Sequence, residues 1–328
     1  MKSKLLIITL MVTLIVALTA CGEESNQDLT DVTFVLDWTP NTNHTGIYVA
    51  QNKGFFADEG LNVTIVQPPA DGAELMVATG QAQFGVSFQD ILATAFTIDD
   101  PLPITAVATI IQHNTSGIIS RAGEGMDRPI GLEGNRYATW DWPIEKAIVE
   151  NVVETDGGNF DDVVLIPSTV TDEVAALKSN SVDAIWVFYA WGGIATELAD
   201  LDTDFFAFKD INPVFDYYTP VLIANDDFLD GEAETAKAFL RAVERGFRFA
   251  IDNPLEAADI LLEEVPELDR DLVVASQEFL ATRYMAEVEQ WGYIEAGRWN
   301  GFFNWLSQEG LVESPIGENT GFSNAFLP

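Results

Sequence analysis

Cysteine and basic residues are scarce in this chain of 328 residues, and each scarcity excludes classes of function. A single Cys excludes an intrachain disulfide and any zinc or iron–sulfur site built from several cysteines. Lys and Arg number 16 against 52 Asp and Glu, which gives a net charge of −36. A nucleic-acid partner is therefore not expected, because phosphate binding needs a basic patch. Such acidity is typical of a solvated surface in a saline or alkaline medium.

Motifs for catalysis and cofactor binding are also missing. The chain has only two His, His44 and His113, and no His-Glu-x-x-His, Gly-x-Ser-x-Gly, Walker A or Gly-x-Gly-x-x-Gly motif. The calcium-loop pattern is absent as well. We therefore expect no metal and no cofactor, and we favour a protein that is not an enzyme. Paired carboxylates carry little information in so acidic a chain, so an enzyme remains the minor alternative.

The first residues have the pattern of an export signal. Lys2 and Lys4 precede an apolar run over 5–18, which is too short for a stable membrane span. Small residues then lead to Cys21, and this order resembles the bacterial lipobox. We predict a signal peptide at 1–20, acyl chains such as palmitate on Cys21, and a polar tether at 21–30. The protein would be exported and held at the outer face of the cell membrane. The alternative is an ordinary signal peptide with an incidental cysteine.

From residue 31 the sequence alternates short apolar runs with amphipathic stretches, which predicts an α/β fold with mostly parallel sheets. Predicted strands lie at 32–36, 61–66, 84–87, 104–111, 136–139, 163–166, 184–187 and 205–208. Predicted helices lie at 43–54, 71–79, 89–96, 143–154, 171–179, 192–199, 233–253, 255–264, 272–284 and 296–309. Two such series indicate two lobes, one at 31–119 and 220–328 and the other at 120–219. Hinge candidates are 118–120 and 220–224.

Aromatic residues follow the ends of several predicted strands. In open α/β sheets ligands bind beyond the carboxyl ends of strands, so these rings are candidates for a ligand site. They are Trp38, Phe88, Trp140, Trp142, Trp186, Tyr189 and Tyr218, with Gln89, Asp90 and Asp216 beside them. Trp186 lies inside an apolar run, where a core role is the stronger interpretation. Trp291, Trp299 and Trp305 have helical spacing and are predicted to be packing residues.

A family resemblance rests on three runs of residues. They are DWTPNTNH from Asp37 to His44, IYVAQNKGFF from Ile47 and EGL from Glu59. The chain resembles ABC-transporter substrate-binding proteins for pyrimidine precursors of thiamine, a group that also includes a pyrimidine synthase of the same fold. Further matches include Gly85 to Asp90 and Gln112 to Asn114. The resemblance covers about residues 32–312. It implies a type II periplasmic-binding fold in two lobes, a small ligand in the cleft, and a membrane permease as partner.

Residue by residue, the resemblance implies that Asp37, Trp38, Asn41, His44 and Tyr48 belong to the ligand site, with Phe88 and Gln112 from later matches. One departure follows the lobe-2 strand. The family carries a Tyr-x-x-His-Glu run there, and this chain has Tyr189-Ala190-Trp191-Gly192-Gly193. The synthase version carries a Cys-rich cluster, and this chain has no Cys after position 21.

Three interpretations remain open on the sequence. A monomeric binder of a planar nitrogen heterocycle fits the stacking aromatics and the carboxylates. A binder of another solute on the same fold, such as a sulfonate, nitrate or riboflavin, is the alternative. An anion binder would need basic residues or helix N-termini at the cleft, and the predicted cleft loops have almost none. A synthase-like enzyme is the least favoured.

Overall fold

The computed structural model describes residues 29–328, so the predicted leader and Cys21 lie outside the described residues. Two five-stranded sheets form the centres of two lobes. The strands of the first sheet lie in the order β2-β1-β3-β10-β4 and those of the second in the order β7-β6-β8-β5-β9. They are β1 Thr30–Val35, β2 Leu61–Val66, β3 Phe84–Ser87, β4 Ile104–Thr109, β5 Ser116–Arg121, β6 Arg136–Thr139, β7 Val164–Pro167, β8 Ala184–Phe188, β9 Thr203–Ala207 and β10 Val221–Asn225.

Helices cover both faces of each sheet. They are α1 Thr45–Asn52, α2 Phe55–Asp58, α3 Ala73–Ala78, α4 Gln89–Thr97, α5 Pro143–Thr155, α6 Glu173–Lys178, α7 Ile194–Leu198, α8 Phe208–Ile211, α9 Asp226–Gly231, α10 Ala233–Asp252, α11 Pro254–Glu264, α12 Arg270–Ala281 and α13 Ala296–Gln308. Short 3₁₀ turns lie at Thr42–His44, Pro129–Leu132, Phe160–Asp162 and Pro213–Phe215, and a π-helical turn at Tyr189–Gly193. The α/β alternation predicted from the sequence is confirmed.

One strand in each sheet runs against the other four. In the first sheet β10 is antiparallel to β3 and β4, whereas β1 is parallel to β2 and β3. In the second sheet β5 is antiparallel to β8 and β9, whereas β6 is parallel to β7 and β8. Each reversed strand is the first strand after the chain changes lobes, so two crossings over 110–115 and 208–220 connect the sheets.

The predicted hinge segment 118–120 lies inside β5, and the predicted segment 220–224 lies inside β10 except for Pro220. Residues 118–120 are part of β5 and pair with β8 and β9, and residues 221–224 are part of β10. The predicted lobe boundary at 119/120 therefore falls inside a strand of the second sheet. A hinge needs backbone that is free to rotate, and strand residues paired on both sides are not. The crossings themselves are the segments that can bend.

The strands of the first sheet are apolar because both of their faces are covered. On one face Phe34 and Phe84 stack on Phe239 of α10, with ring centroids 5.8 Å and 4.0 Å apart. Helix α10 reaches α1 closely, since a Cβ at Gly246 would lie 2.0 Å from the carbonyl oxygen of Gly46. Only glycine fits at that crossing.

The opposite face of the first sheet packs under α13. Tyr217 stacks on Phe302 with a centroid distance of 4.0 Å, and Trp299 is fully buried. Trp291 and Trp305 are buried as well, which confirms the packing role predicted for these three tryptophans. Within residues 29–328 no helix has the length and apolar content needed to cross a membrane.

Candidate ligand-binding cleft

The carboxyl ends of the parallel strands in one lobe face those of the other. This follows from the topology. The first crossing runs from the carboxyl end of β4 to the start of β5, and the start of β5 pairs with the carboxyl end of β8. Phe88, just after β3, stacks on Phe188 at the end of β8, with ring centroids 6.0 Å apart and planes at 15°. We call the space around this contact, between the residues that follow β1 and β3 and those that follow β6 and β8, the interlobe cleft.

A rigid loop follows β1 and presents a tryptophan. The backbone N–H of Asn41 donates to Nδ1 of His44 (3.1 Å), so Nε2 of the neutral ring carries the proton and donates to Asp37 (2.6 Å). The side chain of Asn41 accepts from the N–H of Asn43 and donates to the carbonyl of Thr39. His44 is fully buried, whereas Trp38 is 48% exposed. Asp37, Asn41 and His44 thus hold the loop, and Trp38 is its exposed surface.

A partly buried carboxyl group lies at the start of α4, immediately after β3. Burial raises the pKa of Asp90 to about 6, and the nearby Glu74 acts in the same direction more weakly. Hydrogen bonds from backbone N–H groups and from the Tyr217 hydroxyl lower it in part. The Tyr217 hydroxyl also contacts the side chain of Asn114, so the group sits beside both crossings. Within the described residues, Oδ1 of Asp90 has no hydrogen-bond partner.

Other buried polar atoms near the crossings are unpaired within the described chain. They are Oγ of Ser116, which opens β5, Oγ1 of Thr219, which precedes β10, and Nε1 of Trp186 in β8. A buried polar group without a partner costs roughly 1–3 kcal/mol, so a bound molecule with donors and acceptors would be stabilised here. Sequence reasoning missed Ser116 and Thr219, although their position next to the crossings could have indicated them.

Three tryptophans of the second lobe, Trp186, Trp140 and Trp142, form a continuous row from core to surface. The ring of Trp186 lies 4.2 Å from that of Phe208 and 5.6 Å from that of Trp140, which in turn lies 6.0 Å from Trp142. Trp186 is 5% exposed and Trp142 is 54% exposed. Between Trp140 and Trp142, Asp141 has a φ of 64°. Asp tolerates this conformation better than most residues do, and it bends the chain here. Trp186 therefore packs as a core residue.

Several predicted site residues use their polar groups to hold the crossings. Gln89 donates to the carbonyl of Trp299 and accepts from the N–H of Tyr218. The Tyr218 hydroxyl accepts from the N–H of Glu295, and Gln112 donates to the carbonyl of Tyr293. These side chains are 0–1% exposed. Their polar groups therefore hold the two crossings in place beside the cleft.

Asp216 and Tyr48 also have partners within the described chain. Asp216 binds His113 (2.6 Å) and the N–H of Asn114 (2.9 Å). Tyr48 is buried against α11 and α12, where burial, Glu264 and Glu267 raise its pKa to about 12. Trp191 of the π-helical turn packs on the same cluster.

The Tyr189–Gly193 run lacks the carboxylate of the family pattern, but a carboxyl group from α6 lies beside it. A Cβ added at Gly192 would lie 3.2 Å from the carboxyl carbon of Glu173, the first residue of α6. Burial raises the pKa of Glu173. Glu173 begins its helix at the carboxyl edge of the second sheet, so it is a cleft candidate that sequence spacing could not reveal. Tyr189 itself turns toward Phe205 and Phe279, with centroid distances of 4.7 Å and 5.6 Å.

The described residues contain no group of three or more His, Cys, Asp or Glu side chains placed to hold a metal ion. What the cleft offers is exposed indole rings, unpaired polar atoms and carboxyl groups. This arrangement is suited to holding a flat molecule that donates hydrogen bonds.

Comparison with solved structures defines the class of protein to which this fold belongs. The ligand-binding component of an ABC-type import system from Staphylococcus aureus has a TM-score of 0.68 at 14% identity, covering 90% of this chain and 97% of that one. The alkanesulfonate-binding protein SsuA from Xanthomonas axonopodis pv. citri, bound to MOPS, has a TM-score of 0.68 at 11% identity, covering 90% and 99%. The chain therefore has the two-lobed periplasmic-binding-protein fold that the sequence predicted.

Sequence comparison gives the family. The model of the NMT1/THI5-like family matches residues 41–257, and the chain belongs to this family. It is 30% identical over 337 residues to the formylaminopyrimidine-binding protein of Halalkalibacterium halodurans, covering 99% of both chains. It is 23% identical to the 4-amino-5-hydroxymethyl-2-methylpyrimidine phosphate synthase THI11 of Saccharomyces cerevisiae, covering 74% of this chain and 73% of that one.

Proposed function

We propose that this protein is the extracytoplasmic solute-binding component of an ABC importer and that it captures a thiamine pyrimidine precursor or a closely similar aminopyrimidine. The family, the fold and the full-length similarity to a formylaminopyrimidine-binding protein support this proposal. A membrane permease is the partner to which the ligand is delivered. We propose a monomer as the functional unit, and this is supported by Phe88 and Phe188, which meet across the cleft and belong to the same chain.

The observation that carries the choice of ligand is the unpaired carboxyl oxygen of Asp90. A partly buried carboxylate gains most from a partner that is positively charged or donates hydrogen bonds. An exocyclic amine or a protonated ring nitrogen is such a partner. Trp38, Phe88 and Trp142 offer the faces on which a flat ring stacks, at about 0.5–1.5 kcal/mol per aromatic pair beyond buried area.

An anionic ligand fits this cleft poorly. Asp37, Asp90 and Glu173 are carboxyl groups at the edges that form it, and an anion would be repelled by them. The sulfonate-binding relatives in fold are only 11–14% identical, which supports a shared fold and no shared ligand.

The related synthases make an enzyme the competing proposal. They cover about three quarters of this chain at lower identity than the binding protein does. The sequence has no Cys after position 21, where the resemblance to the synthases would require a Cys-rich cluster. We therefore favour binding without catalysis.

Calorimetry of the mature protein with aminopyrimidines, thiamine, riboflavin, taurine and nitrate tests the ligand. We expect an aminopyrimidine to bind and Asp90→Asn to weaken that binding about tenfold or more, because a charge-assisted hydrogen bond is lost. Asp226→Asn is the matched control. Asp226 is also a partly buried carboxyl with a raised pKa at a helix start, but it bonds Thr105 far from the cleft. Binding of taurine or nitrate, with none of any pyrimidine, would reject the proposal.

We also propose that the protein is exported and anchored through acyl chains on Cys21, as the lipobox-like sequence predicts. The variant Cys21→Ser removes the sulfur that carries an acyl chain. It should move the protein from the membrane fraction into the medium, measured by immunoblotting of both fractions. Quantitative retention of the variant in membranes would contradict the anchor.

A further inference from the structure

An open groove lies beside the first crossing, where α12 of the first lobe approaches β9 of the second. It encloses about 660 Å³, within the range of small-molecule sites. Its walls include Tyr189 and Phe205 from the second lobe, Thr115 from the crossing and Phe279 from α12. The ring of Tyr189 turns toward Phe205 and Phe279, and neither Phe88 nor Asp90 lines this space, so we treat this back groove as distinct from the interlobe cleft.

One arginine in the back groove differs from all others in the described chain. Between residues 29 and 328, every other Arg has a carboxylate oxygen within 4.0 Å, and Arg283 has none. With 52 acidic residues in the sequence, a free guanidinium is unexpected. Arg283 is half-buried, and burial lowers its pKa, as expected for a cation that has lost water without gaining an anion.

The remaining donors of Arg283 are available to a ligand. Its Nη1 donates to the carbonyl of Phe279 (2.8 Å) and to Oγ1 of Thr282 (2.7 Å), and the guanidinium lies 3.4 Å from the Phe279 ring centroid. No protein acceptor within residues 29–328 contacts Nε or Nη2. The guanidinium is thus fixed on one side, with two N–H-bearing nitrogens left over.

Neighbouring charges do not neutralise Arg283. Lys209 on the opposite wall pairs with Asp210 (3.1 Å), outside the groove lining. His113 at the groove end binds Asp216 and Glu287, and these two acids also lie 3.8 Å and 3.7 Å from Arg298. No Asp or Glu is among the described residues that line the groove.

We propose that the back groove is a second binding site, which takes a small aromatic carboxylate. The planar guanidinium of Arg283 matches a carboxylate in a paired hydrogen-bond geometry. Tyr189 and Phe205 provide apolar ring surface for the flat body of the ligand. The site prefers a charge opposite to that preferred in the interlobe cleft, so one protein discriminates two classes of aromatic molecule.

Fluorine NMR of the mature protein with 4-fluorobenzoate tests this site, and 4-fluorobenzamide serves as the uncharged probe of the same shape. We expect line broadening of the benzoate signal and none of the benzamide signal. Arg283→Gln should weaken benzoate binding about tenfold or more, whereas Arg283→Lys should retain part of it. Arg270→Gln, which removes an exposed arginine paired with Asp259, is the control and should bind as the parent does.

Equal binding of both probes, equal benzoate affinity in parent and Arg283→Gln, or no benzoate binding would each overturn the second site. Thermal melting of Arg283→Gln guards against misfolding, and we expect only a small change in stability, because the removal of an unpaired half-buried charge offsets the loss of the contacts with Phe279 and Thr282. Aminopyrimidine affinity measured on the same variant should be unchanged. The two proposals can therefore fail separately.

Discussion

Trp38 and Trp299 are the same residue type in opposite environments, one exposed and one buried. Trp38 follows a strand in a loop held by His44 and is 48% exposed, whereas Trp299, a residue of α13, is fully buried. In the sequence, Trp38 stands between Asp37 and Pro40 in a predicted loop, whereas Trp299 has helical spacing, and this distinguished the two. The exposure of an indole in a rigid loop is a cost that ligand stacking offsets.

Trp38→Ala should weaken aminopyrimidine binding by about 1–3 kcal/mol through lost stacking and lost apolar contact. The melting temperature should stay close to that of the parent, because the side chain is half in solvent. Calorimetry and thermal melting measure the two effects. Trp299→Ala is the contrasting variant and should cost roughly 3–5 kcal/mol of stability. Normal binding with early melting of the Trp38 variant would assign Trp38 to the core.

Asp90→Asn should stabilise the free protein while it weakens binding. The pKa of Asp90 is raised to about 6 by burial, so the folded state holds its proton more tightly than the unfolded state does. Stability from this group is complete below the unfolded pKa near 4 and is lost as pH rises through about 6. Removing the charge should therefore gain roughly 1–3 kcal/mol at pH 8 and nothing below pH 4.

Melting temperatures of parent and Asp90→Asn between pH 4 and pH 8 provide the measurement. A variant that is less stable than the parent at pH 8 would show that the carboxylate stabilises the fold, and Asp90 would then not be a strained ligand group.

At the scale of elements, the sequence predicted the parallel strands and missed the reversed ones. Strands β1 and β2 are apolar runs bounded by Gly, Pro or Asp, which is a local signal. The β5 and β10 segments were interpreted as hinges because the sequence shows where the lobes exchange but not which strands pair across the exchange. That pairing is non-local. The missed cleft candidates Ser116, Thr219 and Glu173 depend on it.

An ion network ties three strands of the second sheet together at the end away from the cleft. Asp183, before β8, accepts from both Nε and Nη2 of Arg136 at 2.8 Å and from Nη2 of Arg121 at 2.7 Å. The Arg136 hydrogen bonds hold the pKa of Asp183 well below its usual range, and burial opposes them. The network joins the start of β6 to the end of β5.

Asp183→Asn should lower stability at pH 7 by about 1–3 kcal/mol, because two arginines lose their shared carboxylate. A depressed pKa gives stability that is present above the unfolded value near 4 and lost as pH falls below it, so parent and variant should converge in acid. Melting curves of the parent and the variant, at pH 7 and in acid below the unfolded pKa, measure this difference. Asp259→Asn, at an exposed pair, is expected to change little, and an equal loss there would deny the network a special role.

At the scale of the whole molecule, the proposed ligand contacts both lobes. A molecule held by Trp38 and Asp90 on one side and by Trp142 on the other favours the closed arrangement of the lobes. We expect an aminopyrimidine to reduce the radius of gyration in small-angle scattering and to quench tryptophan fluorescence. Taurine, nitrate and sulfate should do neither. The effect should persist at raised salt, because stacking is not screened as exposed charge pairs are.

Compaction by taurine or nitrate, with none by any pyrimidine, would favour the anion binder on the same fold. A ligand that quenches fluorescence without compaction would place the binding surface in one lobe only.

Strand order also determines when each lobe can be completed during synthesis. All strands of the second sheet come from one continuous stretch, 116–207, whereas β10 at Val221–Asn225 must enter between β3 and β4. Until then β3 has one unpaired edge and β4 has no strand partner in the sheet, and both strands are rich in apolar residues such as Phe84, Val86 and Val107. A nascent chain that stops short of residue 225 therefore carries a complete second sheet and open edges on β3 and β4, and open strand edges are the features through which chains aggregate.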